Sequence, residues 1–475
     1  MALNKVLKVN SDSELLSYII NVTPELASEI DLPVQGQSIA PIGKLIVSND
    51  RMKNAFINTI NVLGLTIISR NYWENPWENF TNNGVLNFGD SVRELAVDIA
   101  DVFDYNKTAD NPTSFLNTVV PNVFNYIHKL NYQKYYKTTT SDEQIAMAFN
   151  TEGELMGLIE EIIGSLYKAY QYDNYIVNKY MLCKRIVDGT ITMKQITNYT
   201  NLTPRERVTF IKNISNLMTF MSPNYNPTGL RLATTFDNQI AIINTDFEAS
   251  LSTEVLATSF FRDSADMKTR SALIDGYGNH DVNRLLELLG TDYEPFTSSE
   301  LQGLKNVPVC IIDREFFKNY NYMLDNSSAP SEMGVTNAGL RQTSFYNPES
   351  FKNNHWLHTW KILSTSPYKQ ACGFTIDEVK VNSITINPSE SSVSAGIPVQ
   401  LTATVNVSGF ANKAVIWSVE SAPGEVTKVT VDLNGKVTIP SDYKPTDIET
   451  PNPIVIKATS VFDETVTQTA SITVL

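Results

Sequence analysis

The chain has few of the residues that disulfide frameworks and metal sites need. It contains three cysteines and four histidines among 475 residues, and no two cysteines form a CxxC pair. An odd cysteine count without that spacing argues against both a disulfide framework and a zinc site. We therefore expect Cys183, Cys310 and Cys372 to be buried free thiols.

Long apolar runs and dense basic runs are also lacking. No stretch of about 18 apolar residues occurs and the N-terminus has no apolar core, so neither a membrane span nor a signal peptide is predicted. Lys and Arg number 37 against 51 Asp and Glu, a net charge of −14. Binding nucleic acid through its phosphates needs a local basic excess. The sequence predicts a soluble, reduced product without sequence-specific DNA contacts.

Motifs of the common enzyme classes are missing as well. There is no GxxxxGK[ST], GxGxxG, GxSxG or HExxH. His355 and His358 are three residues apart, and in a strand they would face opposite sides and could not share a metal. His280, in the turn DGYGNHD, is interpreted as solvated. Asp246 and Glu248 follow an apolar run without a partner base and are expected to cap the next element. We predict no catalytic residue, no cofactor and no metal.

From about residue 379 the sequence becomes a series of short Val-, Ile- and Thr-rich runs. VNSITINP, VQLTATVNV, KAVIWSVE and TASITVL alternate with period two between Pro, Gly, Ser and Asn, which is typical of an all-β sandwich. Asn434-Gly435 predicts a type I′ hairpin, and Trp417, in mid-strand, is predicted to fill the sandwich core. The pattern resembles the bacterial immunoglobulin-like domain of group 2.

The preceding residues indicate a mixed helical and sheet region. Thr151 and Glu154 form a capping box that opens an apolar period of 3.6 residues over 151–188. This predicts a helix on the order of 50 Å long, with a kink or break near Asp173, which falls on the apolar stripe. The continuous apolar runs 239–244 and 307–312 predict strands buried on both faces.

Residues 71–92 are rich in aromatic residues and asparagine, and predict an extended loop or long hairpin without a core of its own. Its aromatic side chains could stack on sugars, stack on single-stranded bases or pack against a neighbouring subunit. The segment has no basic residue, which counts against base stacking. Because exposed apolar patches mark interaction sites, subunit contact is favoured. The predicted interface residues are Tyr72, Trp73, Trp77, Phe80 and Phe88.

The order of these parts resembles the Hong Kong 97-type capsid fold shared by tailed phages. The resemblance is carried by PIGKLIVSNDRMKNAFINTINVLGLTIISR, NPWENF, LNFGDSVRELAVDI, PNVFNYIH, VCIIDREFFKNY and HWLHTWKILSTSPYKQACGF. Joined to the C-terminal sandwich, they are similar to the major capsid proteins of small podoviruses (Picovirinae-like phages) of Bacillus, Staphylococcus and Streptococcus.

The resemblance implies an α+β Hong Kong 97-type capsid domain over 1–378, followed by an all-β immunoglobulin-like domain over 379–475. Within the capsid domain it implies an arm over 1–48, an extended loop over about 65–100, a spine helix over about 151–188 and an axial domain over about 195–330. The loop would lie across an adjacent subunit. The immunoglobulin-like domain would decorate the shell exterior or bridge capsomers.

The function that the resemblance implies is that of a major capsid (head) protein. Its copies would self-assemble as pentamers and hexamers into an icosahedral or elongated shell around double-stranded DNA, with scaffolding and portal proteins as further partners and no membrane. It would be made in the host bacterial cytoplasm and end in the virion. The Lys–Asn cross-link of some relatives is not expected. The alternative is a tail-associated or surface glycan-binding protein that uses the immunoglobulin-like domain, and a wall hydrolase ranks third.

Overall fold

The structure is a computed structural model. It describes residues 12–30, 38–56, 73–87, 89–100, 123–150, 154–250, 270–322, 336–337, 340–347, 352–422, 429–432, 434–443 and 453–474.

The helices, in chain order, are α1 Asp12–Val22, α2 Pro24–Ala27, α3 Ala40–Ser48, α4 50–56, α5 Glu78–Thr81, α6 Asp142–Ala148, α7 Glu154–Val187, α8 Pro204–Leu217, α9 Thr245–Ser250, α10 Val282–Leu289 and α11 Ser298–Lys305. The strands up to residue 378 are β1 Asn82–Leu86, β2 Val92–Val97, β3 Val123–His128, β4 Tyr132–Ser141, β5 Thr192–Gln195, β6 Gln239–Asn244, β7 Ser271–Ile274, β8 Val309–Asp313, β9 Asn319–Tyr322, β10 Thr336–Asn337, β11 Leu340–Asn347, β12 Lys352–Ile362 and β13 Ala371–Thr375. The later strands are β14 Lys380–Asn387, β15 Glu390–Val393, β16 Val399–Gln400, β17 Thr402–Ser408, β18 Val415–Ser421, β19 Thr430–Val431, β20 Lys436–Thr438, β21 Ile454–Ser460 and β22 Thr467–Val474.

A five-stranded sheet in the order β5-β13-β8-β6-β7 forms the centre of the first part of the chain. Every residue of β6 and β8 is buried. Ile240 and Ile242 pack on the side of α7 and α10, whereas Ala241 and Ile243 pack on the side of α8. Burial on both faces explains the continuous apolar runs, so the two strands predicted from them are confirmed.

The long helix expected from the apolar period is α7, which has 34 residues and is about 51 Å long at 1.5 Å per residue. It runs without interruption through Asp173, so the predicted break is wrong. Asp173 is fully buried because Arg284 of α10 donates hydrogen bonds of 2.9 Å from both Nε and Nη2 to its two carboxylate oxygens. A bidentate charged pair can satisfy a carboxylate on a buried helix face.

A second sheet has the order β1-β9-β12-β11-β10. A sixth strand, β4, lies off this path and pairs with β12. Ten residue pairs join β4 to β12, from Lys352 opposite Ser141 to Lys361 opposite Tyr132. Tyr136 of β4 and Leu357 of β12 pack against Leu166 and Tyr170 of α7. The sheet is therefore held on α7, and β4 forms one of its edges.

The strands from Lys380 to Val474 pair only with one another among the strands that the structure describes. They share one hydrophobic core, and we call residues 380–474 the C-terminal β region. Its β19–β20 hairpin closes through Gly435, whose φ is +77°. Asn434 does not share the positive φ, and the Asp432 side chain accepts from the amides of Asn434 and Lys436. The predicted type I′ turn is therefore wrong, because this loop has more than two residues.

Two glycines bring the C-terminal β region close to the preceding part of the chain. A Cβ on Gly189, which has φ +71°, would lie 2.5 Å from the carbonyl oxygen of Ala411. A Cβ on Gly303 would lie 2.7 Å from the ring of Phe410. A larger residue at Gly189 would press on backbone and separate the two surfaces, whereas one at Gly303 would have to displace the Phe410 ring.

Two sequence predictions fall partly outside the described residues: the capping residue Thr151, and the extended loop over its first residues, 65–72. The apolar stripe of Met52, Phe56, Ile60 and Leu63 predicts a helix over about 49–63. It is present as α4 as far as residue 56, where the described range ends.

Candidate assembly surface

Strands β2 and β3 form a two-stranded antiparallel ribbon that pairs with no other described strand. The register runs from Val92 opposite His128 to Val97 opposite Val123. Successive side chains of a strand point to opposite faces. One face of the ribbon therefore carries Glu94, Ala96, Phe124, Tyr126 and His128, and the other carries Arg93, Leu95, Val97, Val123, Asn125 and Ile127.

The first of these faces holds the ribbon to its own chain. His128 is buried, with Nε2 3.1 Å from Glu94 Oε2 and Nδ1 2.9 Å from Ser364 Oγ. Ser366 Oγ donates to Glu94 Oε1 at 2.7 Å. Burial disfavours the charged carboxylate, but the hydrogen bonds from His128 and Ser366 and the charge of Lys318 outweigh it and lower the pKa of Glu94. The base of the ribbon is thus fixed by a satisfied polar cluster.

The opposite face carries four exposed aliphatic side chains, and we call these four the ribbon face. The exposed fractions are 60% for Leu95, 51% for Val97, 55% for Val123 and 40% for Ile127. Isolated exposed apolar residues are ordinary, but a contiguous group on one face of a strand pair marks an interaction site. The alternation of LAVDIADV with period two predicts a half-exposed strand here, and it is the signal that could have identified these residues.

The aromatic loop, where the sequence placed the subunit interface, is largely part of the chain's own core. Trp77 is fully buried and Phe80 nearly so, and both rings pack against Phe317. Trp77 Nε1 donates to the carbonyl oxygen of Leu273 at 3.0 Å. The expected exposure of these two residues is therefore wrong, because α5 places them against the core around α7 and β9.

Trp73 differs from its neighbours, since it is 47% exposed. Its ring makes edge contacts with Tyr172 and Tyr175 of α7. It remains a predicted interface residue. The other two members of the predicted set, Tyr72 and Phe88, lie outside the described residues.

Trp417 lies in the middle of β18, as expected, but its side chain is only partly buried. It packs on the hydrophobic core of the C-terminal β region and against Gly435. Fully buried aliphatic residues such as Ile454, Ile456 and Ile472 form the centre of that core. Trp417 therefore covers one side of the core, and its role as the central residue stays a prediction.

The histidines do not converge on a common site. His355 is fully buried in β12, and burial lowers its pKa to about 4. His358 lies on the other face of the same strand, as predicted. His280 stacks on Phe296 with ring centroids 4.8 Å apart, and burial lowers its pKa to about 4. The expectation of a solvated His280 is therefore wrong.

The remaining candidate residues lie at the start of a helix or in the core. Asp246 and Glu248 lie in the first turn of α9, where carboxylates favour the helix dipole. Cys183, Cys310 and Cys372 are buried and unpaired, and burial raises the pKa of Cys183 to about 12. Within the described ranges, no three His, Cys, Asp or Glu side chains are placed to hold a metal ion, and no helix has the length and apolarity needed to cross a membrane.

Comparison with protein families identifies the family of this chain. A family model described as the Phi29-like phage major capsid protein matches residues 20–375, three quarters of the chain. The chain belongs to the Phi29-like phage major capsid protein family. It is a structural protein of the phage head, found in the virion, and its copies assemble into the shell.

Relatives and solved structures are of the same kind. The chain is 23% identical over 447 residues to the major capsid protein of Bacillus phage GA-1, with 90% of this chain and 84% of that protein covered. It is 24% identical over 435 residues to the major capsid protein of Bacillus phage B103, with 89% and 84% covered. Among solved structures, the capsid of Staphylococcus phage Andhra matches with a TM-score of 0.45 and 14% identity, over 65% of this chain and 86% of that one.

The prediction of a major capsid protein is confirmed by the family assignment. The predicted fold class is confirmed in its mixed helix-and-sheet capsid part and in the strand-rich region that follows. The ribbon face was missed by sequence reasoning, which concentrated on large aromatic residues and gave less weight to exposed aliphatic residues.

Proposed function

We propose that this capsid protein builds its shell through the ribbon face, which lies on an adjacent copy of the same chain. The single observation that carries the proposal is the group of four exposed aliphatic side chains, Leu95, Val97, Val123 and Ile127, on a ribbon with no other strand beside it in the described structure. Burying them would remove apolar surface from water at roughly 25 cal/mol per Å². Repetition of one such contact around closed rings multiplies a modest pairwise energy.

We also propose the domain organisation that the sequence resemblance implies. Residues 1–378 form a Hong Kong 97-type capsid domain, in which α7 is the spine helix and about 195–330 the axial domain. Residues 379–475 form a group 2 immunoglobulin-like domain on the shell exterior or between capsomers. The exclusive pairing of the strands after Lys380 supports this boundary.

We further propose the assembly route that the sequence resemblance implies. Pentamers and hexamers form in the host cytoplasm with scaffolding and portal proteins, and close an icosahedral or elongated shell around double-stranded DNA. The protein acts without catalysis. DNA contacts are not sequence-specific, consistent with the net charge of −14.

A double substitution on the ribbon face tests the proposal. L95D/V123D places two carboxylates where the neighbouring copy should cover apolar side chains, and burying an unpaired charge is strongly unfavourable. We expect a folded, soluble subunit and almost no particles in electron micrographs. The matched control is I397D/I416D, because Ile397 and Ile416 are 51% and 45% exposed and lie outside the ribbon. Particles of normal yield and size from L95D/V123D would contradict the proposal.

A further inference from the structure

Five structural elements meet at a small polar cavity in the first part of the chain. Helices α5 and α7 and strands β1, β9 and β12 contribute residues to its wall, together with Leu363 just after β12. Five of the nine lining residues are asparagines, and Glu78 and Lys361 are the ionisable ones. We call this space the Lys361 cavity. Its volume of about 20 Å³ is sufficient for one water molecule, and cavities with polar walls hold water whereas apolar cavities stay dry.

Several wall residues are held in place by hydrogen bonds within the chain. Asn178 Nδ2 donates to the carbonyl oxygen of Asn174 at 2.8 Å, and Asn319 Nδ2 donates to Asn178 Oδ1 at 2.7 Å. The Thr81 hydroxyl donates to the carbonyl oxygen of Trp77 at 2.7 Å. These groups are already engaged, so a ligand of the cavity has to bind to the polar groups that they leave.

Asn174 is a wall residue with an unused donor. It is 6% exposed, and its Oδ1 accepts a hydrogen bond of 2.8 Å from Lys361 Nζ. Because a lysine can only donate, this contact fixes which way the amide points. Asn174 Nδ2 is buried and has no hydrogen-bond partner among the residues that the structure describes. A buried N–H without an acceptor destabilises the folded chain, so Asn174 needs an acceptor from the cavity.

Lys361 and Glu78 determine the chemistry of that acceptor. Lys361 Nζ donates to Tyr170 Oη and Asn174 Oδ1, and its ammonium form has a third N–H to give. Glu78 is half-buried at the rim, where one carboxylate oxygen accepts from Asn82 Nδ2 at 3.0 Å. An anion in the cavity would be repelled by the Glu78 carboxylate, and a cation would be repelled by the Lys361 ammonium. The wall therefore selects a neutral ligand that both accepts and donates, and at this volume that ligand is water.

We propose that the Lys361 cavity binds one ordered water molecule in each subunit. The water accepts hydrogen bonds from Asn174 Nδ2 and from the Lys361 ammonium, and it donates one to the Glu78 carboxylate. It thereby links α5, which carries the buried Trp77 and Phe80 nearby, to α7 and β12. All the lining residues belong to one chain, so the proposal does not depend on the ribbon face or on how subunits assemble.

A density map of wild-type particles, at a resolution that shows ordered water, tests the proposal. We expect a peak in the cavity at about 2.7–3.2 Å from Asn174 Nδ2, the usual range for a hydrogen bond. Particles prepared in chloride and in bromide buffer should give the same peak height. An empty cavity overturns the proposal, and so does a peak that strengthens in bromide, because that peak would be an anion.

Variants of Glu78 provide a second readout without altering the buried amide. Glu78→Gln keeps an acceptor at the rim and should retain the peak, whereas Glu78→Leu removes the acceptor and should weaken or abolish it. The matched control is Glu74→Leu, which removes an exposed carboxylate from the same segment outside the cavity and should leave the peak unchanged. An unchanged peak in Glu78→Leu particles would contradict the proposed hydrogen bonds. The wild-type map decides whether water is bound even where a variant does not assemble.

Discussion

At the scale of single residues, two tryptophans four positions apart have different surroundings. Trp77 is fully enclosed and hydrogen-bonded, whereas nearly half of Trp73 faces solvent. We expect Trp77→Ala to lower the free energy of unfolding of the subunit by about 3–5 kcal/mol, the usual cost of removing a core tryptophan. Trp73→Ala should cost about 1 kcal/mol or less, since its packing is one-sided. Denaturant titration of both purified subunits measures the difference, and equal losses would show that the loop is not held as described.

The sequence alone does not show which of these aromatic residues is buried. A segment with Asn, Gly and Pro between aromatic residues has no periodicity, so nothing in it separates Trp77 from Trp73. Burial of Trp77 depends on Phe317 and Leu273, some 200 residues away. By contrast, the buried state of Cys183 and the opposite faces of His355 and His358 followed from local pattern alone.

Lys361 provides a pH-dependent prediction. It is buried in β12, its Nζ donates to Tyr170 Oη and to Asn174 Oδ1 at 2.5 and 2.8 Å, and burial lowers its pKa to about 7, with Glu78 opposing. Between pH 7 and 10.5 the unfolded chain therefore holds more protons at this residue than the folded chain does, and stability rises with pH. From pH 7 to 9 the wild type should gain about 2 kcal/mol relative to Lys361→Met. Parallel stability curves for the two proteins would contradict the assignment.

At the scale of helices and strands, the sequence predicts an element correctly where one apolar pattern extends over the whole element. The apolar period over 151–188 predicts α7 almost to its ends, and the runs 239–244 and 307–312 predict central strands. The break predicted at Asp173 is wrong because Arg284 pairs with the Asp173 carboxylate. Arg284 is more than 100 residues away, so the sequence around Asp173 gives no sign of this pair. In the ribbon, the alternating pattern predicts the strand. It does not predict which face is exposed, because that depends on which elements pack beside the ribbon.

At the scale of the whole molecule, the junction with the C-terminal β region is a direct contact. Gly189 lies two residues beyond the end of α7, and it approaches the Ala411 carbonyl too closely for any side chain. Gly189→Ala would add a Cβ both at a positive φ and against that carbonyl. We expect a loss of about 1–3 kcal/mol, together with faster protease cleavage near residue 378.

The control for this junction is Gly84→Ala. Gly84 also has a positive φ, but an added Cβ there meets nothing within 4 Å. It should show the conformational cost without faster cleavage at the junction. Identical cleavage of Gly189→Ala and wild type would mean that the contact does not hold the two parts together.

We expect the ribbon face to be exposed in a single subunit and covered by a neighbouring copy in the shell. Hydroxyl-radical labelling read by mass spectrometry tests this directly, because it reports side-chain access at Leu95, Val97, Val123 and Ile127 in both states. We predict strong labelling of these four residues in the free subunit and protection in intact particles, while Ile397 is labelled in both. Equal labelling of the ribbon face in subunit and particle would show that no neighbouring copy covers it.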